Sequence, residues 1–227
     1  MSTMTKENKK IPVTVSETMS LTAAGDAGDQ AAAKSINCLG GTYFYSASII
    51  NRKNVFVTPE YLDSLVNAIN LAELRKDVKN LAFVIMPNYF YWIFRLSAKD
   101  DDPVPVYKEV KRQVALDIIE NLKSECRHPE EPFEQLELFK SNAKVSRSNP
   151  RKILWTFKTE AKKIDPQKRY RVWENKSRLF LLDTEEKICR NAQFIKDAPM
   201  TDRWQLVSSA LDYPYLYLSD EIQEKIA

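Results

Sequence analysis

From Thr42 onward, apolar and polar positions follow two rhythms, one of period two and one near 3.6. Thr42 to Ile50 carries the aromatic and β-branched side chains of a strand. Thr58-Pro59 reads as an N-cap with proline at the first helical position. Leu62, Leu65, Val66, Ile69 and Leu74 then recur at helical spacing. Residues 81–96 read as two strands folded back at Pro87-Asn88. On the second strand Tyr89 and Tyr91 face one side of the sheet, and Phe90, Trp92 and Phe94 face the other, because side chains alternate along a strand.

A second helix is predicted from about Val106 to Lys123, with Tyr107, Val110, Val114, Ile118 and Leu122 on its apolar face. Residues 124–152 are polar, with a short helix expected around Phe133 to Phe139. Ile153 to Phe157, Tyr170 to Trp173 and Leu179 to Leu182 read as short strands. A helix follows from Thr184 to Asp197, with Thr184 as N-cap and Glu185 and Glu186 in its first turn. Strand–helix–strand–strand–helix–strand predicts an α+β fold, a ferredoxin-like antiparallel sheet with helices packed on one face. Residues 1–40 are expected to be a disordered or extended tail, since 1–38 contain no aromatic residue and no sustained apolar period. The domain is expected to span 41–219, with 220–227 a short extension. All four glycines lie at or before position 41, so later turns must use Pro, Asn and Asp.

Composition narrows the class. A chain of 227 residues with 44% hydrophobic and 29% charged residues fits a globular domain. No run of about 18 apolar residues occurs, so no membrane span is expected. No basic segment followed by an apolar one opens the chain, so secretion is not expected and a cytoplasmic location is. Cys38, Cys126 and Cys189 are scattered and lack zinc-like spacing. Net charge is +3, too small for whole-molecule attraction to a polyanion, so any nucleic-acid contact must use local patches. The candidates are Lys108, Lys111 and Arg112 on the second helix, Lys144, Arg147, Arg151 and Lys152 in the Ser/Asn-rich loop, and Lys162, Lys163, Lys168, Arg169 and Arg171 near the later strands. The last two groups flank Trp155, Phe157, Tyr170 and Trp173, the mixture of cations and aromatic rings suited to single strands. Equally, such charges can solvate a surface and such rings can build a core.

The stretch Ala82-Phe83-Val84-Ile85-Met86-Pro87-Asn88-Tyr89-Phe90-Tyr91 closely resembles the signature of the REP-associated tyrosine transposases, single-strand DNA transposases of the HUH superfamily. Those enzymes carry Met-Pro-Asn-His-hydrophobic-His here. The resemblance continues through Gly41-Thr42-Tyr43-Phe44-Tyr45, Val172-Trp173-Glu174, Phe194-Ile195-Lys196-Asp197-Ala198-Pro199-Met200, Arg203-Trp204-Gln205-Leu206-Val207 and Asp212-Tyr213-Pro214-Tyr215. It implies the ferredoxin-like plan, a site in which two histidines and a third ligand hold Mg²⁺ or Mn²⁺, and a helix-borne tyrosine that attacks the phosphodiester. Tyr89 and Tyr91 stand at the two histidine positions. Gln113, in Lys111-Arg112-Gln113-Val114-Ala115, stands at the nucleophile position, with Tyr107 the nearest substitute. Asp117 falls where some relatives keep a third ligand, and Lys196 replaces a further histidine. The only histidine, His128, cannot rebuild a two-histidine site.

A phenol with a pKa of about 10 stays protonated at pH 7. Making both rings into phenolates would need shifts of roughly 3 units each, about 4 kcal/mol apiece, with two like charges side by side. The expectation is therefore a catalytically degenerate protein that recognises hairpin or single-stranded DNA, with no cofactor of its own although active relatives use Mg or Mn. Tyr89 and Tyr91 would then be half-buried rings finishing a sheet, or platforms for a base. Two alternatives stand beside it. One is a metal-dependent nicking enzyme with an unorthodox site of Tyr89, Tyr91 and Asp117, and the other is a regulatory module that kept only the fold. Active relatives include monomers and dimers, so a homodimer is an open option.

Overall fold

A computed structural model describes residues 41–75, 78–97, 102–140, 142 and 145–226. The expected tail, residues 1–40, lies outside the described residues, as does Lys144. Five strands form one antiparallel sheet: β1 (Thr42–Ser48), β2 (Val78–Met86), β3 (Tyr89–Leu96), β4 (Arg178–Leu181) and β5 (Leu216–Leu218). Their spatial order is β4-β1-β3-β2-β5. The first four strands follow the ferredoxin-like order, and β5 extends the β2 edge.

The helices are α1 (Pro59–Arg75), α2 (Val104–Arg127), α3 (Glu137–Lys140), α4 (Pro150–Lys162), α5 (Glu185–Asp197) and α6 (Asp220–Lys225). Tyr107 of α2 stacks on Tyr45 at 4.2 Å, and Tyr45 pairs across the strands with Trp92. This places α2, and α1 packed against it, on the side of the sheet that carries Phe90, Trp92 and Phe94. Helices on one face describes this pair. The opposite side, carrying Phe44 and Tyr91, is covered by α5 through Phe194, whose ring lies 5.2 Å from Tyr91 and 6.4 Å from Phe44.

The core explains why the periodicities were readable. Leu62, Leu65, Val66 and Ile69 of α1 and Val106, Val110, Val114, Ile118 and Leu122 of α2 are all buried. Leu74, counted in the same stripe, is 82% exposed: at 100° per residue it lies about 140° round the helix from Ile69, and Ala72 takes the buried position of that turn. Thr58 begins α1 through its backbone: its carbonyl accepts from the Leu62 N–H at 3.2 Å. Its hydroxyl is buried without a hydrogen-bond partner among the described residues, so the expected side-chain cap is not made. Thr184 does cap α5, accepting from the Lys187 N–H at 3.2 Å.

Two strand expectations fail. Ile153 to Phe157 lies inside α4, which Asn149 caps by accepting from the Arg151 N–H and Pro150 starts with its fixed φ. Tyr170 to Trp173 forms no strand, only a single bridge from Trp173 to Ile49. Residues 220–225, set apart in sequence, form α6. Its Ile222 is fully buried, and its Glu221 pairs with Arg95 of β3 at 2.9 Å and Lys79 of β2 at 2.7 Å.

Candidate nucleic-acid interface

The turn at Pro87-Asn88 fixes the end of the sheet on which the tyrosine pair sits. The Pro87 carbonyl accepts from the Val55 and Phe56 N–H groups, and the Asn88 carbonyl accepts from the Ile49 N–H at 2.8 Å. Asn88 Nδ2 donates to the Arg52 carbonyl and to Asn54 Oδ1. These bonds tie the segment after β1 to the start of β3. Tyr89 and Tyr91, one turn of the pleat apart, have ring centroids separated by 4.8 Å. Tyr89 accepts a hydrogen bond on its hydroxyl from Trp204 Nε1 at 2.9 Å, and the two phenols are hydrogen-bonded to each other.

Burial raises the pKa of both phenols, and the Tyr89–Tyr91 interaction raises Tyr91 further. Arg52 and Arg203 pull in the opposite direction on both without cancelling the burial. The pair is therefore neutral at pH 7. Neutral phenols already engaged with each other and with an indole are poor donors to a hard divalent cation, which favours carboxylate oxygens. The residues present do not fit a Mg²⁺ or Mn²⁺ site. Among the described residues, no group of three or more His, Cys, Asp and Glu side chains converges anywhere in the molecule.

The remaining positions named from the resemblance do not meet the tyrosine pair. Tyr107 stacks on Tyr45, on the other side of the sheet. Gln113 Nε2 donates to Asp117 Oδ1 at 2.9 Å, and Ser64 Oγ of α1 donates to Asp117 Oδ2 at 2.7 Å. Gln113 and Asp117 thus join α2 to α1, on the helical side opposite Tyr89 and Tyr91.

The candidate cations separate into engaged and free. Arg147 is a structural residue: its guanidinium grips the buried Glu125 of α2 at 2.5 and 2.6 Å, donates to the Phe133 carbonyl, and lies over the Tyr61 ring. Glu125 also accepts from the Tyr61 hydroxyl. Arg112 is matched to Glu109, and Lys111 donates to Ser177 Oγ at 2.8 Å beside the Trp173 ring. Lys163 is paired with Glu160. Arg171 is half-buried, its N–H donating to the Phe157 carbonyl, while Lys108, Lys168 and Arg169 are exposed.

Helix α4 gathers the others. Arg151, Trp155, Lys158 and Lys162 are spaced i, i+4, i+7 and i+11, so they share one helix face, with Lys152 beside it. All five are exposed. Trp155 is 68% exposed, unusual for the largest apolar residue. The opposite face, Ile153, Phe157 and Ala161, is buried. Lys158 was missed from sequence because a strand reading of 153–157 hides a helical stripe. Arg52 and Arg203 were missed too, although the dipeptide Arg203-Trp204 carries the cation-plus-ring signal sought elsewhere.

The fold is thus a ferredoxin-like sheet with a ring-bearing basic helix, α4, exposed beside it. No family model matches the chain. A curated REP-associated tyrosine transposase of Escherichia coli (strain K12) is 30% identical over 74 residues. That stretch is 33% of this chain and spans 44% of the relative's length, well under two thirds. A solved structure of a REP-associated tyrosine transposase bound to a REP hairpin superposes with a TM-score of 0.51 at 16% identity, covering 83% of each chain. The second likeness shows the fold.

Proposed function

We propose that this protein is a transposase-like DNA-binding protein of the HUH type that recognises hairpin or single-stranded DNA and does not cut it. The observation that carries the reading is α4: an exposed tryptophan set among Arg151, Lys158 and Lys162 on one helix face, with no carboxylate matched to any of the three among the described residues. Cations along a groove or ridge track the backbone, and a ring among them stacks on a base. The partial match to a REP-associated tyrosine transposase, and the fold shared with one bound to a hairpin, support DNA as the partner. The resemblance of residues 82–91 supports placing Tyr89 and Tyr91 at the two histidine positions. Loss of metal chemistry is supported by the neutral, mutually bonded phenols and by Gln113 and Asp117 lying across the sheet.

Stacking on an aromatic side chain is worth about 1–3 kcal/mol per base. Trp155→Ala should therefore weaken binding to a labelled hairpin with a single-stranded extension by roughly 5- to 160-fold, measured by fluorescence anisotropy. Equal affinity for wild type and variant would remove α4 from the interface.

A further inference from the structure

We infer that Arg52 and Arg203 form a phosphodiester-binding site over the Tyr89–Tyr91 pair, holding a DNA strand with two guanidinium groups and no divalent ion. The inference rests on the DNA-binding reading and gives it a second point of contact, distinct from the exposed face of α4.

Arg203 Cζ lies 5.0 Å from the Trp204 ring and 6.0 Å from the Tyr89 ring. A guanidinium resting on aromatic faces keeps its N–H edge for a planar, two-oxygen partner. Arg52 is held nearby, where its carbonyl accepts from Asn88 Nδ2 at 3.1 Å, one residue before Tyr89. Both arginines are exposed, and neither is ion-paired to a carboxylate among the described residues. By contrast, Arg95, Arg112 and Arg147 are each matched to a glutamate. Two arginines without a carboxylate partner, both of whose charges act on the one pair of phenols, leave positive charge that an anion would neutralise.

The backbone is bent out of its easy conformations to bring them there. Three non-glycine residues have left-handed φ among those described: Asn51 at 51°, Arg52 at 50° and Gln205 at 47°. All three lie in the two short segments that carry the arginines, and such strain clusters where function requires it. Asn51 is held by Glu174, which accepts from its N–H at 2.7 Å, and by Glu160 of α4 at 3.4 Å. The same contacts anchor α4 beside the site, so a strand on the helix and a phosphate at the arginines would lie on neighbouring parts of one molecule.

The test is anisotropy of one labelled hairpin with a single-stranded extension, in EDTA, across a range of salt concentrations. It compares wild type, Arg52→Gln with Arg203→Gln, and Arg151→Gln with Lys158→Gln and Lys162→Gln. Each single-strand phosphate contact contributes about 0.7 to the slope of log K against log salt. The Arg52/Arg203 double variant should bind roughly 10- to 100-fold more weakly with a slope shallower by about 1.4, and its melting temperature should match wild type. Lysine at both positions should keep the slope and lose part of the affinity, because the fork is gone but the charge remains. If the glutamine pair binds with wild-type affinity and slope while the α4 triple variant weakens, this site is refuted and the DNA reading stands. If wild type needs Mn²⁺ to bind, metal-free holding is refuted. If wild type binds at no salt concentration, the inference falls together with the reading it rests on.

Discussion

At the scale of single residues, what a side chain does here depends on its partner, and the sequence shows only the side chain. Arg147 and Arg151 are four positions apart in the same basic stretch, yet one is sealed against Glu125 and the other stands in solvent. The partner that decides this, Glu125, comes 22 residues earlier and reads in sequence as one more charge in the polar stretch 124–152. Removing Arg147 should leave Glu125 as a buried, uncompensated carboxylate, which typically costs about 3–5 kcal/mol. Arg147→Ala is expected to lower denaturant stability by that order, read from equilibrium unfolding, while the folded protein keeps the wild-type salt slope for DNA. A shallower slope with unchanged stability would instead make Arg147 a DNA contact. Tyr89 and Tyr91 were legible as a pair on one face from strand alternation alone. Their bonds to each other and to Trp204, 115 residues beyond Tyr89, were not.

Among the elements, periodicity was a good guide where one face is buried and a poor one where propensity and period disagree. In α4, Ile153, Leu154, Trp155, Thr156 and Phe157 carry strand-like side chains, but the burial of 153, 157 and 161 is helical. The cap at Asn149-Pro150 was the signal that could have settled it. The end of the domain hid a second element. Helix α6 is short and polar, and what fastens it to the sheet is buried Ile222 together with Glu221 between Arg95 and Lys79. The hydrogen bond from Arg95, aided by Lys79, lowers the Glu221 carboxyl to about 2, against about 4.3 in an unfolded chain. Its folded pKa is depressed, so its contribution is present above about pH 4.3 and is lost as pH falls toward 2. Glu221→Gln should therefore flatten the fall in melting temperature between pH 5 and pH 3 relative to wild type. An unchanged acid limb would mean that the Glu221 ion pair does not help to hold α6. The group is partly exposed, so the effect should be modest.

For the whole molecule, the order of elements gave the ferredoxin-like plan because each of its first four strands is bounded by helices or a proline turn that leave few alternative topologies. The added strand β5 and the second helical layer, α5, were harder to place. Their contacts join residues more than 100 positions apart, such as Phe194 with Phe44 and Tyr217 with Phe83. Of the site, the tyrosine pair was legible and the two arginines were not, because Arg52, Tyr89 and Arg203 come from three separate stretches of chain. The function we propose is to hold a strand without a grip on a divalent ion. The most direct measurement is to incubate one 3′-labelled hairpin with the wild-type chain, in EDTA and in Mn²⁺, following anisotropy and then a denaturing gel. Saturable binding of equal affinity in both buffers, with every labelled strand intact and free on the gel, is the predicted result. A covalent protein–DNA band that appears only with Mn²⁺ would contradict it.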